Sequence, residues 1–149
     1  MRLIAAIAPV LILSGCADGV SPRDSLHPAH EIVARFPYNP ERGRDYIVPE
    51  TVSVNTTFDV VVYPALACGS DAIPAIAVTR SMTADVTARA MIPEHREGTA
   101  FTCEGRLLNR SIGRVSFSRA GRAIVRLHGR TMGTDRDTTI SVGVLVRSQ

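Results

Sequence analysis

The chain predicts an all-β domain, an antiparallel sandwich or barrel of short strands, and three observations carry that prediction. Apolar residues alternate with polar ones in segment after segment from Tyr46 onward. Glycine, proline, aspartate and asparagine punctuate those segments at short intervals. Helical periodicity is nearly absent over the same residues. A sheet buried on one face requires this period of two, because successive side chains point to opposite faces.

Taken in order, Thr51 to Val54 alternates and ends at the polar Asn55-Thr56-Thr57 turn. Phe58 to Tyr63 follows, closed by Pro64 and by the Gly69-Ser70-Asp71 loop. Ile76 to Thr79 is a short candidate strand. Val86 to Ile92 is a clearer one, placing Val86, Ala88, Ala90 and Ile92 on one face. After the charged loop Pro93 to Gly98, Ala100 to Cys103 can pair again. Arg114 to Ser118 and Ala123 to Leu127 both alternate, the second reached through Ala120-Gly121. The strongest pattern is the last, with Ile140, Val142, Val144 and Val146 on one face.

Composition narrows the class further. Of 149 residues, about 130 remain if the first apolar segment is removed, enough for one domain with a real core. All 17 basic residues are arginine, and the formal charge is only +3. The arginines are scattered along the chain with no basic run, so no nucleic-acid partner is expected. No segment is long and apolar enough to cross a bilayer as a helix.

From about Val48 to Val146 the chain resembles a bacterial immunoglobulin-like domain. The opening Val48-Pro49-Glu50-Thr51-Val52 precedes a strand bearing Val60 and Val62. Phe117, Gly121, Ala123, Val125 and Leu127 resemble the turn and penultimate strand of such folds. The resemblance implies an antiparallel immunoglobulin-like β-sandwich of about seven strands. Two features depart from it. Ala123 stands about where many sandwiches carry a corner tyrosine, and no tryptophan is present to pack on a disulfide.

The N-terminal residues point to a location. Arg2 precedes an apolar run from Leu3 to Leu13, the length of a secretory signal and too short to span a membrane. The run ends in Leu13-Ser14-Gly15-Cys16, which resembles a bacterial lipobox. That resemblance implies a signal peptide over 1–15 and lipidation at Cys16, whose acyl chains would anchor the protein. Ala17 follows the cysteine and Asp18 comes one place too late for inner-membrane retention, so the resemblance favours the outer membrane. Residues 16–45 then read as a proline-containing tether, in which only Glu31 to Phe36 suggests a short helix or docking segment. The β-sandwich domain is expected over 46–149. With Cys16 acylated, Cys68 and Cys103 are the remaining pair in an oxidising compartment, where a disulfide is expected; the alternative is two buried thiols.

Little points to chemistry. His27-Pro28-Ala29-His30-Glu31 lacks the donors that would complete a metal site. Glu94-His95-Arg96-Glu97 brings acid, base and cation into a loop that needs polar residues in any case. His128 falls opposite Val125 and Leu127 and reads as a surface histidine. Asp135-Arg136-Asp137 lacks the remaining spacing of a calcium loop. No catalytic residue, cofactor-binding residue or metal ligand is assigned. A triad enzyme stays open, since its members converge in space and not in sequence. The expected function is therefore non-enzymatic: an envelope lipoprotein held to the membrane by lipid and presenting a binding or structural module to an envelope protein. The alternative is a periplasmic inhibitor or accessory subunit of an envelope enzyme.

The cysteine pair has a measurable consequence. Closing a loop of about 35 residues is worth about 3–4 kcal/mol in the chain-entropy view. Cys68→Ser should therefore lower the melting temperature of the exported protein, as reduction should. Mass spectrometry of the non-reduced sample checks the bond, and free thiols on both cysteines would rule it out.

Overall fold

The computed structural model describes residues 26–36, 45–66, 69–96 and 110–148. Cys16, Cys68 and Cys103, the 1–15 segment and the expected strand Ala100 to Cys103 lie outside the described residues. What is described is all-β, with twelve strands and no helix. In chain order they are β1 (Leu26–His27), β2 (His30–Val33), β3 (Arg35–Phe36), β4 (Tyr46–Ile47), β5 (Thr51–Ser53) and β6 (Phe58–Val62). There follow β7 (Asp71–Arg80), β8 (Thr83–Ile92), β9 (His95–Arg96), β10 (Ser111–Val115), β11 (Gly121–Thr131) and β12 (Asp137–Arg147).

A large mixed sheet runs β2-β8-β11-β12-β5, with β7 on the other edge of β8 and β3 against β11. A smaller antiparallel sheet, β10-β6-β4, supplies the second layer, and β1 pairs with β9. The expected all-antiparallel pairing is replaced at three places, one of them β3, which lies parallel to β11 through Arg35–Arg130 and Phe36–Thr131. β8 and β11 run parallel, Thr83–Thr87 against Ile124–His128, and β12 and β5 run parallel through Leu145–Arg147. The reason is connectivity. Parallel neighbours need a long crossover, and the chain between β8 and β11 passes through β9 and β10 before it returns.

The core fills as the alternation predicts. Ala84, Val86, Ala88 and Ala90 of β8 are fully buried, as are Val125 and Leu127 of β11. Val144 and Val146 of β12 join them, while Val142 and Ile140 pack at the margin. From the smaller sheet come Val60, Val62 and Val115, with Phe117 just beyond β10. The two layers approach closely at one corner. A methyl group on Gly113 would lie 2.9 Å from Val86 Cγ1, so only glycine lets β10 settle there. Beside it Ser111, fully buried, donates its hydroxyl to the Ile73 carbonyl at 2.7 Å and so stitches β10 to β7.

The six residues Glu31 to Phe36, expected as a short helix or docking segment, dock as extended chain. β8 and β11 stay paired only as far as Thr87 and His128. Beyond that point β2 pairs with Arg89–Ile92 of β8, and β3 pairs with Arg130 and Thr131 of β11. Ala34, at the crossing, donates its N–H to Ala88 at 2.9 Å and accepts from Arg130 at 3.0 Å. The segment is thus a wedge that satisfies both strand edges where they part. Arg89 reinforces it by pairing with Glu31 and by donating from Nε and Nη2 to the Pro74 carbonyl at the β7 bulge.

Phe36 fixes the wedge in depth. Its ring is 4 % exposed and lies on Gly129, where an added methyl would come within 2.5 Å of Cε2. Phe36→Ala should cost about 3–5 kcal/mol in chemical denaturation, the usual range for emptying an aromatic site. Gly129→Ala should cost about 1–3 kcal/mol by overpacking. The double variant should lose less than the sum, because the methyl then enters space the ring has left. Strict additivity would show that the two residues do not share that space.

Candidate functional site

The face of the large sheet turned away from the core is where sequence and fold combine to make a surface with distinctive chemistry. In β11 the residues opposite Ala123, Val125, Leu127 and Gly129 are Arg122, Ile124, Arg126, His128 and Arg130. Register then adds neighbours. Ile124 lies level with Thr83 of β8 and Gly143 of β12, and Thr83 in turn with Arg80 of β7. Arg126 is level with Asp85, which faces Val78; Arg122 is level with Leu145, and Arg147 follows on the same face. Arg80, Arg122, Arg126 and Arg147 are exposed, and among the described residues none has an acidic partner in an ion pair. Ile124 and Leu145, at 43 % and 41 % exposed, sit between them.

One acid belongs to the middle of this face, and it is spoken for. His128 Nε2 lies 2.8 Å from Asp85 Oδ1, and Nδ1 lies 3.0 Å from Thr139 Oγ1. A carboxylate only accepts, so Nε2 carries the proton. In the neutral imidazole Nδ1 then accepts from the Thr139 hydroxyl. The hydrogen bond from His128 holds the Asp85 carboxyl below its ordinary value, with Arg126 and Arg80 adding a weaker attraction. This is a hydroxyl–imidazole–carboxylate chain, the residue types of a nucleophilic triad. Its setting is an open face on which β8 and β11 are interior strands, so their backbone N–H groups are committed to the ladder and not to an oxyanion. What the three side chains do here is fasten β8, β11 and β12 to one another.

A second feature lies beside the wedge. A pocket of about 130 Å³ is lined by Ile32, Ala65, Leu66, Ala90 and Ile92, with Ser70 inside and Arg35, Arg130 and Asp135 at its rim. Asp135, in the left-handed region at φ 52°, accepts from Arg35 at 2.9 Å and from Arg130 at 3.0 Å. Those bonds, led by that from Arg35, keep its carboxyl below the usual value. The pocket has room for a small apolar group and its charges are mutually satisfied.

The other candidates are dispersed. His27 stacks on His95 across the β1–β9 pair, ring centres 5.0 Å apart. His30 Nδ1 is 3.1 Å from the Pro28 carbonyl. Among the described residues no group of three or more histidine, cysteine or acidic side chains could hold a metal ion. Asp137 begins β12 and stands apart from Asp135 in role, lying 3.5 Å from Arg130. His128 is on the predicted outer face, yet it is bonded on both nitrogens and is not a free surface histidine. The arginine face itself escaped sequence reading. The signal was in the same alternation, read for its polar members: Arg122 and Arg126 stand two residues either side of Ile124. No family model, curated protein or solved structure matches the chain.

The Asp85 bond makes a pH prediction. A carboxyl held below 3.8 in the fold contributes stability that is complete above the ordinary carboxylate range and lost as pH falls through the folded value. Asp85→Asn should therefore cost about 1 kcal/mol or less at neutral pH, as half-exposed pairs do. Denaturant unfolding across a pH series checks it: the gap between parent and variant should close well below pH 3.8. A gap that persists there would assign the loss to packing.

Proposed function

We propose that this protein is a lipid-anchored cell-envelope lipoprotein whose β domain is a non-enzymatic binding module, working through the outer face of its large sheet. The observation that carries the reading is that face. Four guanidiniums share it with one acid, Asp85, none of them within ion-pair distance of it, and they are grouped around exposed aliphatic side chains. Location rests on the apolar run ending in Leu13-Ser14-Gly15-Cys16, with Cys16 as the lipidated residue and the outer membrane as the favoured site. Kinship with immunoglobulin-like sandwiches is part of the proposal; two facing sheets and the alternating core support it, and the parallel β8–β11 pair is a departure.

The anchor is tested by replacing its thiol. Cys16→Ser should leave an unprocessed precursor or release the domain from envelope membranes on fractionation. A variant processed and fractionated like its parent would overturn the anchor.

A further inference from the structure

We propose that the outer sheet face docks on the surface of an anionic phospholipid bilayer, Arg80, Arg122, Arg126 and Arg147 engaging phosphates while Ile124 and Leu145 enter the headgroup layer. The proposal rests on the reading of this face as a binding surface, and it names the partner. It does not depend on the lipid anchor.

Three observations favour a bilayer. The first is the cation. A guanidinium offers a planar fork that matches phosphate oxygens two at a time, and every basic group here is of that kind. The four outnumber the one acid in the middle of the face, Asp85, whose carboxylate offsets only part of their charge, and Asp137 lies off the group beside Arg130.

The second is layout. Adjacent strands are about 4.8 Å apart and alternate residues about 6.8 Å apart along a strand, so Arg80 on β7 and Leu145 on β12 lie about 15 Å apart across the sheet. The result is a surface built from strand faces, with charge spread over it. A bilayer asks for no more than that, because its headgroups move laterally to meet the charges.

The third is the apolar content. Ile124 is flanked along its strand by Arg122 and Arg126, and Leu145 is the cross-strand neighbour of Arg122. Val78 adds a further 43 % exposed side chain beyond Asp85. A nucleic acid would use the guanidiniums and leave these aliphatics in water. The interfacial zone of a membrane takes both. The smaller sheet offers a contrast: Arg114 on β10 is also exposed, but its partner Asp59 stands 3.7 Å away on β6.

The experiment uses the full chain carrying Cys16→Ser, so that no acyl chain contributes, and co-sedimentation with vesicles. One set is phosphatidylcholine alone and the other contains about one third phosphatidylglycerol; the N-terminal apolar run partitions into both, so the difference between them is read. The parent should prefer anionic vesicles, and salt should erase the preference. At about fivefold per arginine near an anionic surface, Arg122→Ser with Arg126→Ser should weaken anionic binding about 25-fold and leave neutral binding alone. Arg80→Ser with Arg147→Ser should do the same, which keeps the test decisive should either pair disturb the fold. Arg114→Ser should change nothing. Equal binding to both vesicle types, or an equal loss from Arg114→Ser, overturns the proposal. So does retention of an acidic envelope protein by the parent and not by the Arg122/Arg126 variant when the vesicles show no preference; the face then remains a binding surface, with a protein as partner. Failure of the Cys16→Ser fractionation test would remove the anchor and leave the vesicle result standing.

Discussion

The contact of the Phe36 ring with Gly129 sets the shape of everything around it. β8 and β11 can run parallel only while their separation matches a sheet, and beyond Thr87 and His128 they part. Two diverging strands in a small domain expose two rows of backbone donors and acceptors, which are costly when buried without partners. The wedge of residues 30–36 supplies those partners, and the glycine lets its phenyl ring sink to core depth. Remove either and the split sheet must close, repack or admit water.

The same divergence explains why polar groups concentrate at that end. Arg89 spans β2 and the β7 bulge, and Asp135 ties Arg35 of the wedge to Arg130 of β11. Exposed ion pairs individually contribute little, so their effect here is to hold a register that backbone pairing alone leaves short. At the other end β11 and β12 keep a ten-residue ladder, and the outer face there is free to carry side chains that serve something other than the fold.

How much of this could be read beforehand follows from the range of the interactions. β8, β11 and β12 were legible because each alternates for several residues and buries one face only. β7 was legible only at Ile76 to Thr79: Pro74 and the alanines around it blur the pattern, and a bulge between Ile73 and Ile76 shifts its phase. The wedge was illegible as strand because Val33 interrupts the alternation that turns Ile32, Ala34 and Phe36 inward, and prolines bound the segment; its pairing is dictated by a gap between two distant strands. Of the arginine face only Arg122 and Arg126 stood together in the sequence, and the placing of Arg80 and Arg147 beside them, like the Asp85–His128–Thr139 chain, was illegible for the same reason in stronger form. These side chains stand on different strands, Asp85 and His128 43 residues apart, and become neighbours only through register.

The wedge also fixes the route by which a mechanical load would enter the domain. Tension applied through the residues before Leu26 first meets the two-residue β1–β9 pair and its stacked histidines. Only after that link opens does the pull reach His30 and the ladder on β8, with Phe36 seated deeper still. The chain is thus graded like a fuse: a weak clasp outermost, a four-residue ladder next, and the aromatic plug last. Opening the clasp lengthens the N-terminal lead by several residues before the core carries any strain.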